Sequence, residues 1–164
     1  MKFISIIIGS KSDYEVMKEC AETFKKFGVP YELIISSAHR SPERTKKYIA
    51  EAEKKGAQCF IAAAGMAAHL AGAVAAATTK PVIGVPMASG ELRGEDALLS
   101  TVMMPAGMPV GTVAIGKAGA VNAAYMAIQI LALSDDELRV KLQEDRVSKA
   151  KKVELDSREI EVIL

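Results

Sequence analysis

Short apolar runs alternate with helical stripes five times along this chain, and no other feature constrains its fold as tightly. Phe3 to Ile8 is a continuous β-branched and apolar run, the pattern of a strand buried on both faces. Gly9 to Asp13 is a turn, in which Ser12 or Asp13 can cap the next helix. That helix carries Val16, Met17, Cys20, Phe24 and Phe27 on one stripe and stops at Gly28, just before Pro30. A second strand spans about 31–36, and a charged helix, 43–55, ends at Gly56. The third strand, 58–63, leads through a turn around Gly65 into a small-residue helix containing Leu70, Val74 and Ala77. The fourth strand, 81–85, is followed by a loop and a helix from near Glu95 to before Pro105. The fifth strand is 110–115, and the helix after it, 121–133, is apolar nearly all round. Ser134-Asp135-Asp136-Glu137 has capping-box spacing and opens a charged helix to about Lys152. The last five residues are apolar again.

Repeated strand–helix–strand units give a parallel sheet with right-handed crossovers. The predicted fold is therefore α/β: a flavodoxin-like, doubly wound five-stranded parallel sheet in three α/β/α layers, with an extra C-terminal helix. The expected strand order is 2-1-3-4-5. At 164 residues the chain fits a single domain, 1–164, with 135–164 as C-terminal helix and tail.

Half of the residues are hydrophobic, a quarter are charged and the net charge is +1, which excludes a disordered chain and gives no sign of a nucleic-acid-binding surface. Cys20 and Cys59 lie in apolar patterns without metal-ligand spacing and read as reduced core residues of a reducing, cytoplasmic compartment. The N-terminal apolar run is short and breaks at Gly9, so it reads as a strand rather than a signal peptide. The stretch from Phe60 to Thr79 lacks acidic residues, lysine and arginine, yet it is mostly alanine and glycine, too weakly apolar for a membrane span. Between Gly56 and Gly90 the only formal charge is Lys80, and between Ala97 and Ser134 it is Lys117. So much apolar surface on a small domain predicts a permanent oligomer.

In a parallel sheet all strand-to-helix turns emerge at one edge. Here the first three are GSKSD, SAHRSP and AAGMAAHLAG. With strands 2, 1 and 3 adjacent, Ser10, Asp13, His39, Arg40 and His69 should converge at the switch point. A histidine changes charge near neutral pH, since its unperturbed pKa is about 6.5. An arginine presents a flat fork of donors suited to phosphate. The Gly9–Asp13 turn, with its serines and helix N–H groups, has the form of a phosphate cradle but lacks the Gly-Lys-Ser/Thr of a nucleoside-triphosphate loop. Asp13 would repel phosphate but can accept from ribose hydroxyls, or serve as a cap. Neither histidine has an acidic or cysteine partner at ligand spacing, so no metal is expected, and no nucleophile elbow is visible. The residues point to proton transfer on a small phosphorylated substrate. A non-catalytic flavin or nucleotide module on the same sheet stays open, because fold alone does not decide function.

GSKSD, SAHRSP, AAGMAAHLAG, PVIGVPM and the LRGEDALLSTVMMPAGMPVGTVAIGKAGAVNAA segment, in this order and spacing, resemble the N5-carboxyaminoimidazole ribonucleotide mutase family of purine biosynthesis. The resemblance implies transfer of a carboxylate from an exocyclic nitrogen of the nucleotide to its imidazole carbon, without cofactor, metal or ATP. It implies His39 as the general acid/base, His69 as a second active-site histidine, and Ser10, Asp13 and Arg40 as nucleotide-binding residues. It further implies a homo-octamer whose C-terminal helices reach over neighbouring subunits. Ser41, Ala71, Ala97 and Met103 depart from the family's usual threonine, proline, serine and glutamine. The related carboxylase, which takes free carbon dioxide and the uncarboxylated nucleotide, is the nearest alternative. AAGMAAHLAG looks like the mutase branch, and Ala67, Ala68, Leu70 and Ala71 are expected to form an apolar wall beside His39.

Overall fold

The computed structural model describes residues 1–163, so Leu164, the end of the apolar tail, lies outside the described residues. The chain divides into two compact units, Met1–Ala127 and the segment from Ile128 onward. In the first unit β1 (Phe3–Ile8), β2 (Tyr31–Ile35), β3 (Ala57–Gly65), β4 (Val82–Met87) and β5 (Gly111–Thr112) form one parallel sheet in the order β2-β1-β3-β4-β5. The intervening helices are α1 (Tyr14–Phe27), α2 (Pro42–Lys55), α3 (Leu70–Ala77) and α4 (Glu95–Val102), and α5 (Lys117–Ala132) begins in this unit. A single 3-10 turn, Lys11–Asp13, precedes α1. The doubly wound α/β fold and its strand order are those expected from the alternation.

Central strands are buried on both faces because helices cover both. Side chains alternate along a strand, so Phe3 and Ile7 of β1 join Phe60 and Ala62 of β3 in one core with Ile49 and Ala52 of α2 and Leu70 and Val74 of α3. Ile4, Ile6 and Ile8 point the other way, toward the layer of α1, whose Met17, Cys20 and Phe24 are fully buried. Phe27 of α1 meets Tyr125 of α5 edge to face, with centroids 5.4 Å apart. Cys20 and Cys59 are free and buried, and burial pushes both thiols up, Cys59 to about 12. On the opposite face Ser5 is fully buried, and its hydroxyl is 2.9 Å from the Tyr48 hydroxyl, which donates to Glu32 at 3.2 Å.

Two boundaries depart from expectation for identifiable reasons. The run 110–115 pairs as strand only at Gly111–Thr112. The β4 carbonyls of Gly84 and Pro86 face this edge, accepting from Val113 and Gly116, but Pro86 has no N–H to return and the ladder stops. Helix α5 starts at Lys117 rather than Val121, because Gly119 is helical. A Cβ at Gly119 would overlap the Ala114 carbonyl, so this glycine serves close packing rather than a turn.

In the second unit α6 (Asp136–Ile160) is capped by Asp135, whose carboxylate accepts from the Leu138 N–H at 3.0 Å. The cap is one residue later than the Ser134 box predicted. The helix also runs past Lys152 to Ile160, through eight residues free of glycine and proline. Among the described residues no helix is long and apolar enough to cross a membrane.

Candidate functional site

The first arm of the site grows from the end of β1. The Gly9 N–H donates to the Ala63 carbonyl at 2.9 Å, which lashes the loop to β3. Ser10 caps the 3-10 turn, its Oγ accepting from the Ser12 N–H at 3.1 Å. Asp13 occupies the N-cap position of α1 but makes no side-chain cap bond. It is only 7% exposed, and burial pushes its carboxyl above the ordinary value, partly offset by a hydrogen bond from the Ser10 backbone amide.

The second arm is the turn between β2 and α2. Ser37 and Ser41 close it on each other: Ser41 Oγ accepts from the Ser37 N–H and donates to the Ser37 carbonyl, both at 3.0 Å. The Arg40 N–H donates to Ser37 Oγ at 3.1 Å. The backbone of His39 and Arg40 is therefore held. Among the described residues their side chains make no hydrogen bond or ion pair, and both are exposed.

The third arm follows β3, which runs to Gly65. Met66 has a left-handed backbone, φ 57°, unusual for a residue with a side chain. A Cβ at Gly65 would overlap the Ser89 side chain, so glycine is what lets the loop after β4 approach. The chain then delivers His69 to the N-terminus of α3. The rings of His39 and His69 meet edge to face, centroids 5.2 Å apart and planes at 82°.

These arms enclose one cleft of about 420 Å³, a size suited to a small ligand. Ser10, Asp13, His39, Arg40 and His69 all line it. Ser12, Ser37, Met66 and Ser89 line it as well. The serines of the first two arms stood in motifs visible in the sequence, whereas Ser89 enters through the close approach at Gly65, for which the sequence offers no signal. The expected apolar wall is half present. Ala67 and Leu70 line the cleft, while Ala68 and Ala71 are buried, Ala71 in the α2–α3 core. The cleft is open to solvent in the single chain, where His39, Arg40, Met66, Ala67 and His69 are exposed. Ala97 is fully buried and Met103 is exposed, and neither lines the cleft.

Chemically, the cleft offers groups for an anion and groups for a proton, with Arg40 and His39 side by side on the second arm. The Arg40 guanidinium and the Ser10 hydroxyl suit a phosphate. Two imidazoles in contact suit the movement of a proton on a group lying against them.

Known proteins are similar to this chain in sequence and in fold. The model of a family described as AIR carboxylase matches residues 3–152. An N5-carboxyaminoimidazole ribonucleotide mutase of Saccharolobus solfataricus is 52% identical over 143 residues, covering 87% of this chain and 89% of that protein. The protein of the same name from Escherichia coli K12 is 49% identical over 150 residues, covering 92% and 89%. Among solved structures, Treponema denticola PurE superposes with a TM-score of 0.89 at 27% identity, covering 99% of this chain and all of that one.

Proposed function

The chain belongs to the AIR carboxylase family, and on that premise we propose how its cleft carries out the N5-carboxyaminoimidazole ribonucleotide mutase reaction. The enzyme moves the carboxylate of this nucleotide from the exocyclic nitrogen to the ring carbon, giving 4-carboxy-5-aminoimidazole ribonucleotide in purine biosynthesis. The observation that carries the reading is the agreement between mutase relatives, about half identical over most of both chains, and a cleft that brings two histidines into contact beside Arg40.

The substrate is a carbamate. His39 gives a proton to the exocyclic nitrogen as the C–N bond breaks, and the carboxylate leaves as carbon dioxide. The ring is then an electron-rich enamine, and its carbon attacks the carbon dioxide to form the new C–C bond. His39, now neutral, takes the proton from that carbon. One proton is given and one taken, so no external acid, base or oxidant is consumed. His69 meets the His39 ring edge to face and orients it toward the substrate. Arg40 and Ser10 bind the ribose phosphate, and Asp13 accepts from ribose hydroxyls. The bound nucleotide and the wall of Ala67 and Leu70 shield the carbon dioxide from water.

The reading extends to assembly and location. The chain forms a homo-octamer in the cytoplasm, with α6 packed on a neighbouring subunit. Exposed Leu99, Val102 and Met103 at α4, and Val140, Val147 and Leu155 on α6, support it, since such surface rarely stays in water.

The family description favours a second reading, in which free carbon dioxide is the carboxyl donor. Turnover of N5-carboxyaminoimidazole ribonucleotide without ATP tests the mutase. Activity confined to aminoimidazole ribonucleotide with bicarbonate contradicts it.

A further inference from the structure

Behind the second arm, outside the cleft, two buried hydroxyls face each other. Ser36 and Thr45 are each 2% exposed, and Ser36 Oγ is 2.8 Å from Thr45 Oγ1. Thr45 Oγ1 also donates to the Ser41 carbonyl at 3.2 Å. A threonine hydroxyl has one proton, so with that proton committed it is Ser36 that donates to Thr45. The Ser36 N–H donates to the Ile8 carbonyl at 3.0 Å, immediately before Gly9 and Ser10. Ser36 thus donates both ways, from its N–H to the end of β1 and from its hydroxyl to Thr45, which in turn donates to the Ser41 carbonyl.

A threonine bonding the carbonyl four residues back is common in helices and would mean little alone. The bond from Thr45 to Ser36, nine residues away and on the far side of the turn, is different. It spans the whole SAHRSP turn at its base. Burying two hydroxyls where apolar side chains would fill the space carries a desolvation cost, offset only by the bonds they make. What those bonds add over an apolar contact is direction. The His39 and Arg40 side chains have no hydrogen bond of their own among the described residues, so the turn beneath them fixes where they stand.

We propose that Ser36 and Thr45 are positioning residues that act through His39. They lock the 37–41 turn against the end of β1, so that the proton carrier and the Gly9–Asp13 arm keep one geometry on a shared substrate. This inference rests on His39 being the proton carrier. Neither residue lines the cleft, so neither touches substrate.

The test compares Thr45→Val, Thr45→Ser, Ser36→Ala and the double variant Ser36→Ala/Thr45→Val in steady-state turnover, well below each melting midpoint. A proton carrier displaced by a fraction of an ångström should lower kcat roughly 10- to 100-fold in Thr45→Val and Ser36→Ala. KM should rise by a smaller factor than kcat falls, because Arg40 shares the loosened turn while Ser10 and the Gly9–Asp13 arm stay in place. Thr45→Ser restores the hydroxyl and should restore kcat to within about threefold. The double variant should be no slower than Thr45→Val, which already removes both the Ser36–Thr45 link and the bond to the Ser41 carbonyl. A Thr45→Val enzyme that melts lower yet turns over like its parent overturns the proposal, as do additive losses in the double variant. If the parent itself does not turn over the nucleotide, the functional reading fails on its own. The positioning claim is then read from the His39 imidazole resonances. These should shift or broaden in Thr45→Val and not in Thr45→Ser, and resonances identical in both overturn it.

Discussion

Replacing Arg40 by alanine should separate binding from stability cleanly, because of what the guanidinium does not touch. Among the described residues its side chain has no acidic partner and no hydrogen bond, and it is exposed at the cleft. The one bond that Arg40 gives to the turn comes from its backbone N–H, which alanine keeps. Truncation therefore orphans nothing, and the change in folding free energy should stay within about 0.5 kcal/mol. Binding is another matter. A charge-assisted bond to phosphate contributes about 1.5–3 kcal/mol, which is roughly a 10- to 150-fold rise in Kd. Arg40→Lys keeps the charge and loses the planar fork, so its affinity should fall between the two. Titration calorimetry with the product nucleotide, alongside thermal melts, reads both quantities. The difference between parent and alanine variant should also shrink as salt rises, because the contact lies near solvent. An unchanged Kd in Arg40→Ala refutes the reasoning. So does a large loss of melting temperature, which would make Arg40 a structural residue.

The remaining predictions concern proton transfer, a buried carboxyl and assembly. His39→Asn should nearly abolish turnover while nucleotide affinity stays within several-fold on the order of 1 kcal/mol, and near-normal turnover would remove His39 from its role. Burial holds the Asp13 carboxyl above its ordinary 3.8, so the folded chain holds this proton to higher pH than the unfolded chain. Ionised Asp13 then subtracts from stability at neutral pH, and the penalty fades as pH falls through the raised value toward 3.8. Asp13→Asn should accordingly melt above its parent at neutral pH and converge with it in acid, while binding nucleotide less well; coincident melts at every pH would contradict the burial argument. Light scattering at micromolar concentration should return a mass well above that of one 17.4 kDa chain, and a monomer would overturn the assembly.

The sheet order and the convergence of five site residues were legible because both follow from one pattern. Strand–helix alternation fixes parallel pairing, and parallel pairing puts every strand's C-terminal turn at one edge. What was not legible depends on contacts between segments distant in sequence. Ala71 follows His69 by two residues and looks like cleft wall, but at about 3.6 residues per turn those two residues carry it to the other side of the helix, into the core. Ser89 reaches the cleft only because Gly65 leaves room for it. Gly119 looks like loop glycine in a Gly-Lys-Ala-Gly run and is helical, for want of space beside Ala114. The Ser36–Thr45 bond joins two residues that no local pattern links. Periodicity reports which face a residue takes, and it says nothing of what arrives opposite that face.

The central claim is that carboxylate moves within one bound molecule rather than arriving from solution, and isotope retention measures this directly. N5-carboxyaminoimidazole ribonucleotide labelled at the carbamate carbon is converted in unlabelled bicarbonate, and label is counted in the product. A mutase attacks its own released carbon dioxide before that molecule escapes, so most of the label should appear on the ring carbon. Product carrying mainly solvent carbon, with free aminoimidazole ribonucleotide and bicarbonate as the better substrates, would contradict the account.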